Sequence, residues 1–380
     1  MQEQNTQVMQ ETIGWIDKFI VASSSTKNKY AKMGLDSSKI KVLGSARFSP
    51  KWCKTYFQLI GDSTLFRDPN YTKIVFFDHS TRYRSHPDEI VNWLTFKYIE
   101  DVLTKDEALE ILNQNQKHKE ERVKILLKEG YPAYTTAAGW LGYSDEKIID
   151  LCNKYMKQGW RHFKIKVGND LEGDVKRLEI IRNAVGEKCS IMVDANQQWS
   201  VSQSIKHINA YKKFNLLFVE EPTSPDDVMG FKKIKKAVGN VNLATGEACG
   251  GRIMFKQFLE SGGMDICQID SCRLGSINEI LVVLLMAHKL KIPVFPHAGG
   301  VGLCEYVQHL CMLDYVLING EKDSKVVEYQ DSLHEHFKFP CVINNSNYMP
   351  PNDNGYSIEM KQDSIDTYSY PNGDYWIKNK

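Results

Sequence analysis

No apolar run in the chain exceeds eight residues, Ile280–Ala287. That is well short of the ~20 needed to span a bilayer, so no membrane partner is expected. The opening MQEQNTQVMQETIG has neither a basic region nor a long apolar stretch, so no signal peptide is expected. No CxxC pair occurs among the nine cysteines, Cys53, Cys152, Cys189, Cys249, Cys267, Cys272, Cys304, Cys311 and Cys341. This excludes a zinc ribbon and a thioredoxin motif, and scattered thiols in odd number point to a reducing, cytoplasmic setting. Cys249 and Cys267 fall close to the acids described below, but no histidine pairs with them in sequence to make a nucleophile. No GxGxxG or GxxxxGK[ST] follows an early strand, which argues against a doubly wound nucleotide-binding sheet. A charge excess is missing too. The 48 Lys+Arg offset 47 Asp+Glu, a net charge of +1, which excludes nucleic acid as the main partner.

What remains is the composition of a globular protein. The chain has 380 residues, 42 % of them hydrophobic and 25 % charged, enough to bury a real core. Residues 1–85 read as a fragment of an α/β unit: a β-prone run at 19–22, a helical stretch at 26–33 closed by Gly34, and further short strands at 39–43 and 74–77. Residues 86–130 read as helical, with Thr104-Lys-Asp-Glu107 forming a capping box. Residues 337–380, rich in Asn, Pro, Tyr and Ser, read as an irregular tail that wraps back on the side of those helices.

Between them lies a regular alternation. Strands are predicted at 133–136, 162–167, 191–195, 216–219, 243–245, 266–269, 294–295 and 326–329. Amphipathic helices are predicted at 144–158, 171–185, 202–214, 230–237, 252–260, 277–290 and 305–317. This is the pattern of a (β/α)8 TIM-type barrel over residues 131–336.

The strand ends carry the chemistry. In Phe163-Lys164-Ile165-Lys166-Val167 both lysines fall on one face, which in a barrel points inward. A lysine crowded by a second cation has a depressed pKa and becomes a candidate base. Asp194, Glu220 and Glu247 close three successive strands, at steps of 26 and 27 residues. Three adjacent carboxylates need a cation, and oxygen donors select a hard one such as Mg2+. Of the pair Glu220–Glu221 one is expected to face inward, Glu220 by spacing, with Glu221 as the fallback. Asp270 and His297 follow at steps of 23 and 27. An Asp that accepts from one imidazole nitrogen leaves the other free to donate a proton. Glu328 ends the eighth strand, placed to steady an oxyanion if protonated. His334 and His336 form an HxH pair for which the tail offers no further ligands in phase. A lysine base facing an Asp–His acid across a metal suits removal of the proton α to a carboxylate.

Lys164-x-Lys166, Asp194-Ala-Asn196, Glu220-Glu-Pro, Gly246-Glu247, Asp270 and Phe-Pro-His297 resemble the enolase superfamily, mandelate-racemase-like branch. GYPAYTTAAGWLGYSDEK (130–147), VEEPTSPDDVMG (219–230) and FPHAGGVGLCEYVQHL (295–310) resemble its L-fuconate dehydratase branch. The resemblance implies Mg2+ on Asp194, Glu220 and Glu247, and Lys166 taking the C2 proton of a sugar acid. It implies His297, held by Asp270, protonating the departing 3-hydroxyl. Lys164, Glu220, Glu247, His297 and Glu328 would contact the substrate. The product would be a 2-keto-3-deoxy acid, in fucose catabolism, made by a homo-oligomer. The same base and acid would serve an epimerase or another acid-sugar dehydratase. Family members begin with an α+β cap that residues 1–85 do not resemble. The stretch 19–45 looks instead like a fragment of a nucleotide-sugar glycosyltransferase, and only 86–130 resemble the end of a cap. An incomplete cap also admits an impaired enzyme that only binds.

Overall fold

The computed structural model describes residues 19–21, 40–42, 87–352 and 355–379. The chain divides into two compact units, Met1–Thr72 and Lys73–Lys380. In the first, β1 (Phe19–Val21) and β2 (Ile40–Val42) pair in parallel, with Ile20 opposite Lys41. The helix expected at 26–33 and the strand expected at 74–77 lie outside the described residues.

The second unit begins with α1 (Pro87–Trp93), α2 (Lys105–Gln116) and α3 (Lys119–Glu129). The capping box forms as written in the sequence. Glu107 N donates to Thr104 Oγ1 (3.3 Å) and Thr104 N to Glu107 Oε2 (2.9 Å). The two longer helices are tied to a π turn at Tyr315–Asn319. Asn115 Nδ2 donates to Ile318 O (2.6 Å) and Arg122 Nη1 to Val316 O (3.0 Å), which satisfies carbonyls the wide turn leaves open.

The barrel follows. Its parallel strands are β3 (Tyr131–Thr135), β4 (His162–Lys166), β5 (Ser190–Asp194), β6 (Val219–Glu220), β7 (Leu243–Thr245), β8 (Ile266–Cys267) and β9 (Val327–Tyr329). Between β8 and β9 the extended segment 294–297 completes the ring of eight. Phe295 N donates to Cys267 O (2.9 Å), His297 N to Ile269 O (2.9 Å) and Glu328 N to Pro296 O (3.3 Å). Only isolated bridges form there, because Pro293 and Pro296 have no N–H to give. β9 then pairs with β3, Ala133 opposite Val327, and the sheet closes. Helices α4 (Asp145–Lys157), α5 (Leu171–Val185), α6 (Val201–Tyr211), α7 (Val228–Val238), α8 (Arg252–Ser261), α9 (Ile277–Lys289) and α10 (Leu303–Asp314) alternate with the strands. Ser144, Asp170, Ser200 and Asp227 cap the first four through their side chains.

The tail is more regular than its composition implied. β10 (Val342–Asn344) and β11 (Asn347–Met349) form a hairpin around Asn345 and Ser346, at φ of 47° and 59°. Two consecutive left-handed residues fit the twist of a tight hairpin, and Asn tolerates that conformation. β11 then pairs antiparallel with the start of β3, Tyr348 opposite Tyr131, and α3 packs against it. Two short helices, α11 (Gln362–Tyr368) and α12 (Asp374–Lys378), follow. No helix among the described residues is long and apolar enough to cross a membrane.

Strand alternation separates two cores. Phe163, Ile165, Ile191, Val193, Val219, Leu243, Cys267 and Ile269 face the helices. Tyr134, Met192, Phe218, Ala244, Ile266, Phe295 and Val326 face inward as a separate apolar floor. Phe218 is its centrepiece, edge-on to Tyr134 (6.3 Å) and Phe295 (6.1 Å). Phe218→Ala is expected to lower stability by about 3–5 kcal/mol, against under about 1.5 kcal/mol for Phe218→Leu. Urea titrations of both variants check this; equal losses would show that the floor is not close-packed.

Candidate active site

One strand step above the floor the interior turns polar. Lys164 lies opposite Met192 and Lys166 opposite Asp194 in the β4–β5 register. Lys164 is buried and its Nζ donates to Glu220 Oε1 (2.9 Å) and Oε2 (2.8 Å). The same Nζ lies 3.0 Å from Glu328 Oε1, 3.9 Å from Asp194 Oδ2 and 5.2 Å from the centre of the Tyr134 ring. Lys166 pairs with Asp194 and stands over the Trp140 ring at 5.6 Å. Both lysines thus point inward as expected. Lys164 is surrounded by acids. Burial works against its charge, but Glu220, Glu328, Tyr134 and Asp194 outweigh it and hold the ammonium well above the usual range.

Glu328 is drawn toward its charged form. Burial favours its acid form, but Lys164, His297 and the Ala298 N–H (2.8 Å) outweigh it and pull the carboxyl down to about 2. These neighbours favour its charged form, so the oxyanion role open to a protonated Glu328 is not the one they support. The Glu220–Glu221 pair departs from simple alternation, with Glu220 inward as expected. Strict alternation allows only one of them to face the interior, yet both are fully buried. Glu221 has φ of 39°, a left-handed residue that breaks the alternation. Glu220 stays inside with Lys164 and Gln268, whose Nε2 donates to Oε2 at 2.7 Å. Glu221 accepts from Gln197 Nε2 (2.7 Å) and feels Glu247, Asp194 and His297. Burial first, then Glu247, push it up to about 7.

Opposite the lysines, His297 Nδ1 meets Asp270 Oδ2 at 2.7 Å, and Nε2 lies 3.1 Å from Glu247 Oε2. Asp270 Oδ1 is fixed by the N–H groups of Cys272 (2.7 Å) and Arg273 (3.0 Å). Burial opposes the imidazolium, but Glu328, the Asp270 hydrogen bond and Glu247 outweigh it and raise His297 to about 9. The ring is therefore loaded with a proton whose Nε2 side faces the mouth. Gly246 lets the chain reach Glu247. At φ of 133° a Cβ would stand 2.7 Å from Gln268 O.

The cluster carries more negative than positive charge. Asp194, Glu220, Glu221, Glu247, Asp270 and Glu328 face Lys164, Lys166 and His297. Burial and Asp194 push Glu220 well above the carboxylate range, and Glu221 Oε1 is buried with no hydrogen-bond partner. Both features fit a site able to hold a cation. Lys164 stands between Asp194 and Glu220, while Glu247 reaches the group through His297. The donors are all carboxylate oxygens, which fits a hard divalent ion.

Four participants escaped the sequence reading. Tyr134 and Trp140 offer ring faces to the two lysines. Gln268 could have been found from its phase, two residues before Asp270 on the inward face. Arg177 on α5 donates to Lys166 O (2.7 Å), Gly139 O (2.9 Å) and Trp140 O (3.1 Å), pinning the end of β4 to the loop beside it. No local pattern marks Arg177, because its partners are 11, 38 and 37 residues away.

Comparison with known proteins places this geometry in context. A family model described as enolase C-terminal domain-like matches residues 147–364. Mitochondrial enolase superfamily member 1 of Homo sapiens is 51 % identical over 294 residues, which is 77 % of this chain and 66 % of that protein. L-Galactonate dehydratase of Hypocrea jecorina is 48 % identical over 290 residues, 75 % of this chain and 64 % of the other. The chain therefore spans about two thirds of the length of these relatives. The crystal structure of the human protein superposes with a TM-score of 0.75 at 50 % identity, over 77 % of this chain and 67 % of that one. L-Talarate dehydratase from Polaromonas sp. JS666, crystallised with Mg and L-glucarate, shares the fold at a TM-score of 0.55 and 22 % identity, over 69 % of this chain and 71 % of that one.

Removing the ammonium at the centre of the cluster leaves buried carboxylates unpaired. Lys164→Met is expected to cost about 3–5 kcal/mol, and adding Glu220→Gln to recover part of it. Chemical denaturation of the single and double variants measures the coupling; strictly additive losses would show that the pair is not coupled.

Proposed function

The chain belongs to the enolase superfamily, and from that premise we propose that it dehydrates a sugar acid to a 2-keto-3-deoxy acid. The observation that carries the proposal is the placement of two proton-transfer groups around one anionic cluster. Lys166 stands on β4 beside Asp194. His297, charged and held by Asp270, stands on the seventh strand with Nε2 toward the mouth.

In the proposed reaction the Lys166 amine takes the proton from C2 of the substrate. The electrons of the C2–H bond move into the carboxylate and then form the C2–C3 double bond as the 3-hydroxyl leaves. His297 Nε2 gives its proton to that hydroxyl, which departs as water. The resulting enol becomes the 2-keto-3-deoxy acid by taking a proton at C3. Lys164 stays charged and contacts the substrate carboxylate. Glu328 fixes Lys164 and the Ala298 N–H instead of donating a proton. We assign Asp194, Glu220 and Glu247 as the residues that would hold Mg2+. The ion would offset their charge and that of the developing enediolate. The named activity of the relatives and the Mg in the L-talarate dehydratase structure support the assignment.

The proposed substrates share the L-galactonate configuration. L-Fuconate is L-galactonate without the 6-hydroxyl, so a site selecting configuration at C2 to C5 accepts both. We place the reaction in the cytoplasm, a setting that suits the free thiols among the described residues.

Proton NMR in D2O with Mg2+, L-galactonate, L-fuconate and other sugar acids tests the reading, with EDTA as control. The expected result is loss of the C2 proton with a 2-keto-3-deoxy product. Lys166→Ala is expected to lower the rate by about 10^2–10^4-fold. His297→Asn is expected to retain C2 exchange while product formation falls. Exchange without product from the unaltered protein would favour an epimerase, and no exchange with any acid by folded protein would overturn the proposal. Glu220→Gln is expected to weaken Mg2+ binding more than Glu221→Gln in a calorimetric titration. The reverse order would move the ligand role to Glu221.

A further inference from the structure

Outside the barrel mouth, the tail brings together a second set of metal-ligating side chains. Glu305 lies in the first turn of α10, His334 in a 3-10 turn at 334–336, and Cys341 just before β10. One donor atom from each lies within 4.8 Å of the others. We propose that Glu305, His334 and Cys341 form a site for a zinc-like divalent cation that clamps the tail to α10.

The donors have the required character. A carboxylate oxygen, an imidazole nitrogen and a thiolate suit a borderline ion of the zinc type better than Mg2+. Their charge closes as well: one carboxylate, one thiolate and a neutral imidazole balance a dication, which matters because Glu305 is 0 % exposed. Four-coordinate zinc with bonds of about 2.0–2.3 Å spreads its donors roughly 3.3–3.8 Å apart. Cys341 Sγ already stands 3.7 Å from His334 Nδ1.

The present hydrogen bonds also leave a vacancy. His334 Nδ1 meets Glu305 Oε1 at 2.6 Å, and Nε2 meets Gln330 O at 2.9 Å. Both ring nitrogens face acceptors, and the Glu305 bond raises the imidazole to about 9. Glu305 Oε2 remains buried with no hydrogen-bond partner. His334 Nδ1 and the Cys341 N–H (3.4 Å) both reach Oε1, so neither explains the orphaned Oε2, which is costly when buried. With a cation bound, Nδ1 loses its proton and becomes a ligand. Nε2–H keeps its bond to Gln330 O, the usual way a ligating imidazole is oriented. Stacking on Tyr329, at 5.4 Å and 11°, holds the ring in that pose. Cys304 Sγ, which accepts from Gln330 N at 3.4 Å, stands near the site through the residue whose carbonyl meets His334. The fourth position falls to water or to this thiol.

His336 plays no part. Its Nδ1 pairs with Ser364 Oγ at 3.0 Å, so the HxH spacing is not the motif. The clamp has a structural consequence. Cys341 leads into the β10–β11 hairpin, and Tyr348 on β11 donates to Glu328 O at 2.6 Å. An ion at Cys341 therefore anchors the segment that holds the backbone of Glu328.

The test uses the full chain, stripped of metal under reducing conditions and titrated with Co2+ and with Zn2+ in the presence of excess Mg2+. The expected result is a thiolate-to-cobalt charge-transfer band reaching one equivalent per chain, displaced by Zn2+, with protons released on binding. Cys341→Ser should abolish the band. His334→Gln should weaken binding at least about 100-fold. Circular dichroism of each variant verifies folding, and Cys304→Ser decides the fourth ligand. Absence of the band in the folded unaltered protein overturns the proposal. A band that survives in both Cys341→Ser and His334→Gln also overturns it, because the ion would then sit elsewhere.

Discussion

The site depends on one buried ammonium. Lys164 occupies an interior barrel position where an aliphatic side chain would ordinarily pack. A lone charge there would carry a desolvation cost of several kcal/mol. The structure meets that cost with Glu220 and Glu328 at hydrogen-bond distance and the Tyr134 ring beneath. Because these partners come from three other strands, Lys164 fixes the relative heights of β3, β4, β6 and β9. Every other polar residue of the mouth is placed relative to that knot.

The apolar floor makes the knot stable. Phe218, Phe295 and Tyr134 fill the barrel below and keep water from reaching the lysine from underneath. Above it the charges alternate around the ring. Lys166 and Asp194 share one side, and Asp270, His297 and Glu247 the other. Compensation is incomplete, and the strain appears in Glu220 and Glu221, both pushed toward protonation by burial and neighbouring acids. That surplus of negative charge suits a divalent cation. It also explains why His297 is held charged, since Glu247 and Glu328 both face its Nε2.

The periphery serves the same centre. Arg177 pins the carbonyl of Lys166 to the Gly139–Trp140 loop, so the end of β4 and the aromatic wall beside it are tied together. The β10–β11 hairpin extends the sheet at the start of β3 and, through Tyr348, fixes the strand that carries Glu328. The tail is thus part of the scaffold behind the site, which gives a cation clamp on Cys341 something to stabilise.

Period two and the βα step were legible in the sequence. The inward pair Lys164 and Lys166, the acids at steps of 26 and 27 residues, and the Asp270–His297 pair follow from alternation and repeat length alone. The Thr104 capping box and the span of α5 were equally local, and appear as read. What needed tertiary structure was whatever depends on distance through space or on a single departure from regular backbone. The left-handed φ of Glu221 breaks the alternation and leaves both glutamates buried. The charge preferences of Lys164 and Glu328 come from partners on other strands, which no local pattern shows. Asn345 and Ser346 turned an irregular tail into a hairpin. That tail then carried His334 and Cys341 to Glu305, 29 and 36 residues away in sequence, a separation at which no spacing rule operates. Local repetition determined the ring of strands and the residues facing into it. Long-range contact decided their charge and their partners.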